Sequence, residues 1–288
     1  MRSPSIGRSR RPGRLLLIAV GLATILSGCT LGTIENGFLP SDKGVTNKTE
    51  SIINHWNGSW IAALAVGALV WGLTIWCVVV YRKRKDDNTL PVQLRYHVPL
   101  ELLYTIIPVL MVGVLYVYSS TVFDEILDET EEADLTVHVY GKQWGWDFNY
   151  VEEDVYFQGG RVQLTGEMGV EETLPTLYLP VDENVQFLVS SRDVIHSFWI
   201  PAFLFKMDAM PGLTNSFQLV PEREGHYQGK CAELCGEYHA EMLFNVEVVD
   251  RDTFDAEMQD LRDAGNVGFL GDEYNRDYTK RYEETVGN

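Results

Sequence analysis

The densest chemistry in the chain lies in twelve residues, Cys231-Ala-Glu233-Leu-Cys235-Gly-Glu-Tyr-His239-Ala-Glu-Met242, which carry two thiols, an imidazole and a thioether. Soft thiolate and thioether donors beside imidazole select copper in a redox role, because zinc sites rarely use Met and calcium or magnesium ask for oxygen. A mononuclear blue-copper site needs one Cys, two His and a weak axial Met. Here a second Cys stands at C-x3-C spacing, and two bridging thiolates can hold two coppers. Each copper then asks for one terminal His and one weaker ligand, so a second His must come from outside the loop. His196, in Asp193-Val-Ile-His196-Ser-Phe-Trp-Ile-Pro201, is the candidate, since its neighbours are apolar and aromatic residues that exclude water. A Cys231–Cys235 disulfide with His196 satisfied in the core is the competing reading. His239 and Met242, in phase with the cysteines, favour metal. His55, His97, His138 and His226 have no comparable neighbourhood, and His226, just ahead of the loop, is the one most easily mistaken for a partner of the ligands.

The elements that would position these groups read as strands. Residues 135–140, 143–150, 174–179, 185–190, 216–220 and 243–249 are short and punctuated by Gly and Pro, which predicts an antiparallel sandwich or barrel. Asp147-Phe148-Asn149-Tyr150 and Phe244-Asn245-Val246-Glu247-Val248 alternate polar and apolar residues, as strands with one wet face do. Residues 151–173, with six acids and four Gly, are expected as a long exposed loop or irregular hairpin, and residues 251–265 as a surface helix within an acidic tail, 251–288. The run Gln143-Trp144-Gly145-Trp146-Asp147-Phe148 is richer in aromatics than a wet strand needs. Core packing accounts for some of these rings, while Trp144, in a rim of acids, suits a contact for an incoming partner.

With 288 residues the chain has room for one or two domains with a real core, which rules out a small disulfide scaffold. Its net charge of −18 is unevenly spread: residues 124–288 hold 35 acidic and 11 basic side chains, whereas residues 1–28 hold five Arg and no acid. Such a field repels phosphate backbones, which argues against nucleic acid, and favours a cationic protein partner. The Arg-rich start, the apolar run from Leu15 to Leu26 and Leu26-Ser27-Gly28-Cys29 follow the grammar of a lipoprotein-type signal peptide over 1–28, with lipid attachment at Cys29. A plain cleaved signal or an uncleaved helix is the alternative, and Arg10-Arg11 is a weak twin-arginine signal. After an exported segment, 29–58, a hairpin over 59–123 contains two uncharged stretches of 22 residues, 60–81 and 102–123, each long enough to span a bilayer. Arg82-Lys83-Arg84-Lys85 and Arg95 lie between them and assign the connection to the cytoplasm, so residues 124–250 fall on the outer face. Cys77 reads as a packing residue. Glu101 is either a functional carboxylate with a proton path or an interfacial one beside Arg95 and His97.

These motifs together resemble subunit II of the haem–copper cytochrome c oxidases, over about residues 56–249. The resemblance rests on the two spans, G-x-Q-W-x-W at 141–146, D-V-x-H-S-F at 193–198, K-x-D-x-x-P-G at 206–212 and the C-x3-C-x3-H-x2-M loop. It implies a two-helix transmembrane hairpin followed by an all-β cupredoxin-like Greek-key barrel in a bacterial plasma membrane. It implies a dinuclear copper centre, CuA, held by His196, Cys231, the main-chain carbonyl of Glu233, Cys235, His239 and Met242. The Glu233 side chain would reach a magnesium ion at the interface with subunit I. Trp144 resembles the tryptophan through which electrons enter, and Glu101 the acid at the mouth of the K proton path. Electrons from cytochrome c would pass to haem a of subunit I, where oxygen reduction drives proton translocation; the haems belong to partner subunits, and subunit III completes the complex. No C-x2-C-H occurs in the chain, so it carries no covalent haem c and must receive electrons from another protein. In some bacterial relatives it is a membrane-bound di-haem cytochrome c of a bc complex in a supercomplex.

Two departures stand out: Gly145 replaces an aromatic common in Q-W-x-W, and Leu213 stands where Arg often follows P-G. They bear on the docking surface and the interface ion pairs rather than on copper. The rival readings are a copper-free quinol oxidase subunit II, whose ligand positions would be empty, and a lipid-anchored binding protein with a Cys231–Cys235 disulfide. Nitrous oxide reductase shares the loop, but the two spans and the lack of a large His-rich domain argue against it.

Overall fold

The structure, a computed structural model, describes residues 31–85, 90 and 92–276. The signal-peptide residues and the lipidation position Cys29 lie outside the described residues. A short helix, α1 (Leu31–Glu35), precedes two long ones, α2 (Thr49–Val80) and α3 (Val98–Ile126). Both long helices are apolar enough to cross a membrane, and their Leu, Val, Ile and Trp side chains face outward along most of their length. About 20 apolar residues span the hydrocarbon core of a bilayer, and a surface of this kind calls for lipid or protein around it. The predicted stretches 60–81 and 102–123 fall almost wholly within α2 and α3. At the start of α3, His97 Nδ1 accepts from the Leu100 amide at 3.3 Å, and the Glu101 carboxylate accepts from the His97 amide at 2.9 Å. The Leu100 amide also donates to the His97 carbonyl at 2.9 Å, so the His97 side chain adds to a bond already made, while Glu101 caps the His97 amide.

Ten strands follow: β1 (Leu135–Lys142), β2 (Gly145–Tyr150), β3 (Val155–Gln158), β4 (Thr176–Pro180), β5 (Val185–Ser191), β6 (His196–Ile200), β7 (Phe205–Ala209), β8 (Asn215–Leu219), β9 (Gly225–Cys231) and β10 (Leu243–Val249). They form two five-stranded sheets, β3-β2-β1-β5-β8 and β4-β10-β9-β6-β7. The pairs β1–β5 and β4–β10 are parallel, and the remaining pairs are antiparallel. The sheets pack face to face as a cupredoxin-like β-sandwich. Between them, Phe198 stacks on Phe244 at 5.0 Å, and Trp146 meets both rings edge-on at 5.6 and 5.5 Å. Edge-to-face and offset rings of this kind pack densely and fix one another's orientation. The helix α4 (Arg251–Asp263) follows, capped by Asp250, whose carboxylate accepts from the Thr253 amide at 2.9 Å. It buries Phe254 and Met258, one turn apart, against the sandwich.

The sequence expectation differs from the structure in several places. Two strand pairs are parallel where an antiparallel arrangement is expected, and β2 has no wet face, since Asp147 and Asn149 are buried with their polar groups paired inside the domain. Of the two readings for residues 151–173, the hairpin holds at the start, because Val155 and Phe157 alternate inward and β3 pairs with the free edge of β2. The strands β6, β7 and β9 are missing from the predicted set. Gly225-His-Tyr-Gln-Gly-Lys-Cys231 lacks the β-branched residues that mark strands, and its pairing to β10 and β6 supplies what propensity does not.

One buried ion pair ties the first sheet together. Asp147, 1% exposed, accepts from Arg192 Nε at 2.8 Å and from Lys142 Nζ at 2.6 Å. Breaking a buried pair leaves its partner charge uncompensated. Asp147→Asn is therefore expected to lower unfolding free energy by about 3 kcal/mol, read as a shift of the urea midpoint of the whole chain.

Candidate metal centre

His196 opens β6 and Cys231 closes β9, and Phe198 stands opposite Cys231 in the antiparallel pair. Imidazole and thiol therefore emerge at the same end of one sheet. The chain returns as β10 with Leu243 paired to Lys230, so residues 232–242 must close a loop across a single strand spacing. Backbone bonds clamp the ends of that loop: the Cys231 amide donates to the Met242 carbonyl and the Ala232 amide to the Ser197 carbonyl, each at 3.0 Å. Gly236, at φ +127°, turns the chain where other residues are strained, and a 3₁₀ turn over His239–Glu241 brings His239 and Met242 back toward Cys235.

The donor atoms converge. The Cys231 and Cys235 sulfurs lie 3.8 Å apart, and both residues are free thiols. His196 Nδ1 is 3.9 Å from the Cys231 sulfur, while His239 Nδ1 and Met242 Sδ are 3.6 and 3.7 Å from the Cys235 sulfur. The Glu233 carbonyl accepts from the Cys231 thiol at 3.2 Å. Ligand atoms of His196, Cys231 and Cys235 all lie within 4.8 Å of one another. All of these side chains are buried except His239, which is half-buried. Two thiols, two imidazoles, a thioether and a carbonyl in a dry setting fit a soft redox metal and suit neither calcium nor magnesium.

Surrounding contacts orient the donors. Asp193 Oδ1 accepts from His196 Nε2 at 2.8 Å, which turns Nδ1 toward the thiols. Asp193 also accepts from the amides of Gln143 and Val194, each at 2.7 Å. Burial pushes the Asp193 carboxyl up in pKa, but the hydrogen bonds from His196 and the two amides outweigh it and hold it below the usual range. Burial pulls His196 down, yet Asp193 and Cys231 beside it leave it raised. The contact with Cys235 pulls the Cys231 thiol down, against burial, and the same contact together with burial pushes Cys235 up. One thiolate is favoured and a second opposed, a conflict that a bound cation relieves. Gly141, on β1, makes room for the imidazole: a Cβ there would lie 2.9 Å from His196 Cδ2.

Trp144 is half-buried and lies over the loop. A Cβ on Gly236 would be 3.0 Å from Trp144 Cζ2, and Tyr238 meets the indole edge-on at 4.8 Å. The Glu233 side chain points outward, as do those of Leu234 and Glu237. Glu101 is outside this cluster, half-buried at the start of α3. His226 bonds Glu247 at 2.6 Å on the exposed side of β9 and β10 and touches none of the donors. The roles of Gly141, Gln143 and Arg276 at the site are absent from the sequence reading. The first two stand inside G-x-Q-W, which was the available signal, and nothing in the sequence marks Arg276.

These features define a membrane-bound protein whose extracytoplasmic cupredoxin-like sandwich carries a His–Cys–Cys cluster at one end. A family model described as cytochrome c oxidase subunit II, periplasmic domain, matches residues 135–249. The probable cytochrome c oxidase subunit 2 of Streptomyces avermitilis is 38% identical, over 93% of this chain and 92% of that one. Cytochrome c oxidase subunit 2 of Mycobacterium bovis is 31% identical, over 90% and 84%. Among solved structures, the periplasmic domain of subunit II of cytochrome oxidase from Bradyrhizobium japonicum is 30% identical, over 46% of this chain and 97% of that one, with a TM-score of 0.43. The chain belongs to the cytochrome c oxidase subunit II family, whose members carry a copper centre and serve haem–copper oxidase complexes.

Gly141→Ala drives a methyl group into the His196 ring. The sandwich is expected to stay folded while copper affinity falls about tenfold or more, as when an orienting neighbour is lost. Competition of the purified chain against a chromophoric chelator measures it.

Proposed function

We propose that this chain accepts electrons from cytochrome c and delivers them to haem a of subunit I, where oxygen is reduced and protons are translocated. The observation that carries this reading is the pair of thiols 3.8 Å apart, each beside an imidazole, with one weaker donor near each sulfur. His196, Cys231, the Glu233 carbonyl, Cys235, His239 and Met242 would hold two copper ions. When bound, that pair supplies a one-electron carrier whose charge is shared between two metals. The protein's part is to hold the donors nearly still in both redox states, through the clamped loop ends, Asp193 on His196 and the aromatic packing beneath. Trp144 would receive the incoming electron, since its ring rests on Gly236, the residue after Cys235.

The exposed Glu233 and Glu237 of the donor loop favour a cationic donor, in keeping with the acidic balance of residues 124–288. A membrane-bound di-haem cytochrome c of a bc complex, in a supercomplex, is the donor we favour. In the same reading the Glu233 side chain takes a magnesium ion against subunit I, Glu101 opens the K proton path, and subunit III completes the assembly. The link between α2 and α3 is cytoplasmic, and Cys29 carries a lipid anchor. The copper-free quinol oxidase reading is disfavoured because every copper-ligand position is filled.

The test is copper loading of the full-length chain in detergent, followed by metal analysis and electron paramagnetic resonance. Two coppers sharing one unpaired electron are expected; one copper or none would overturn the reading. His239→Ala and Met242→Ala are expected to lower copper content or collapse the shared-electron spectrum, whereas a disulfide-bonded binding domain would be indifferent to both. Trp144→Leu is expected to keep the copper spectrum and lose most of the rate of reduction by cytochrome c in stopped flow.

A further inference from the structure

The matched domain ends at residue 249, and the chain beyond it returns to the metal centre from outside. After α4, residues 264–276 run back along the first sheet. The Leu270 amide donates to Asn149 Oδ1 at 2.7 Å, and Arg192, 4% exposed, donates to the carbonyls of Leu270 and Gly271 at 3.0 and 2.7 Å. The Arg192 carbonyl in turn accepts from the Arg276 amide at 2.8 Å. This strap delivers Arg276 to the β1–β2 turn. There its Nη1 donates to Gln143 Oε1 at 3.0 Å and stands 3.9 Å from Asp193 Oδ2.

Both partners of Arg276 touch residues that carry donors. Gln143 Nε2 donates to the Cys235 carbonyl at 2.8 Å, and Asp193 holds His196. A carboxamide can rotate by half a turn, which would set its oxygen against the Cys235 carbonyl. A cationic donor on Oε1 forbids that rotation. One guanidinium thus steadies a neighbour of His196 and a neighbour of Cys235, on the two strands of connection that frame the cluster.

We propose that Arg276 is a positioning residue and that the strap 264–276 latches the metal centre, slowing both loss of copper and access of reagents to the thiols. The inference rests on the copper reading above, and its test separates the two. Wild type, Arg276→Ala, Arg276→Lys, Gln143→Ala and the Arg276→Ala/Gln143→Ala double variant are made in the full-length chain. In copper-free protein, the alkylation rates of Cys231 and Cys235 by iodoacetamide are followed by peptide mass spectrometry; in copper-loaded protein, the rate of copper transfer to a chelator is followed.

Arg276→Ala is expected to raise alkylation several-fold and copper release about tenfold, with near-ultraviolet circular dichroism unchanged. Arg276→Lys should recover most of the loss. The double variant should fall short of the sum of the single effects, since both act through one contact. Rates for Arg276→Ala equal to wild type, or full additivity in the double variant, would overturn the latch. A wild-type chain that takes up no copper would overturn the functional reading instead, and alkylation would still decide the strap. Should Arg276→Ala disturb the fold, Arg276→Gln, which keeps the length and removes the charge, makes the same comparison against Gln143→Ala.

Discussion

Two thiols must be kept 3.8 Å apart in a place with little water, and the rest of the extracytoplasmic domain answers to that constraint. Water would solvate one thiolate and let the pair drift apart. Here the two sulfurs instead solvate each other, with Cys231 pulled down and Cys235 pushed up, so the apo pair is held short of full ionisation. A cation removes the conflict by accepting both sulfurs as anions. The scaffold has to present the donors already gathered, because a loop free to open would lose the binding free energy to ordering its own chain.

That gathering depends on strand pairing more than on the loop. Residues 232–242 are tied at both ends by bonds to neighbouring strands, so the loop spans a fixed gap with only its interior free. Beneath it, Phe198 follows His196 by two residues on β6 and stacks on Phe244, while Trp146 lies edge-on to both Phe198 and the His196 ring. Displacing His196 would therefore disturb the densest part of the core. Asp147, Arg192 and Lys142 do for the first sheet what the rings do for the space between sheets, fixing the turn from which Gln143 and Trp144 reach the cluster.

The donor loop was legible in the sequence because its chemistry is local: two Cys, His and Met within twelve residues state a ligand set before any fold is known. His196 was legible by its neighbours, and α2, α3 and α4 by their apolar or amphipathic text. The strand β9 was hidden because His226, Gln228, Gly229 and Lys230 carry no strand preference, and only pairing on both sides makes them one. Gly229 even depends on having no side chain, since a Cβ there would run into the Phe244 ring. The link from Arg276 to Gln143 joins positions 133 apart in the chain, and no periodicity or spacing encodes such a contact.

The C-x3-C spacing also separates what the centre binds from what the surface shows. At Glu233 the main-chain carbonyl faces the Cys231 sulfur while the side chain is exposed, and Leu234 beside it is 77% exposed. A backbone donor is supplied by any residue type, so selection on the outward side chains at 233, 234 and 237 can proceed without altering the inner set. Gly236 is the exception: its left-handed turn and its contact with Trp144 leave no room for a Cβ. Gly145 lies off this loop altogether: it is buried on β2, where a Cβ would crowd the Gly159–Gly160 backbone rather than any donor. Within the loop, donors and outward side chains project from opposite faces of one backbone.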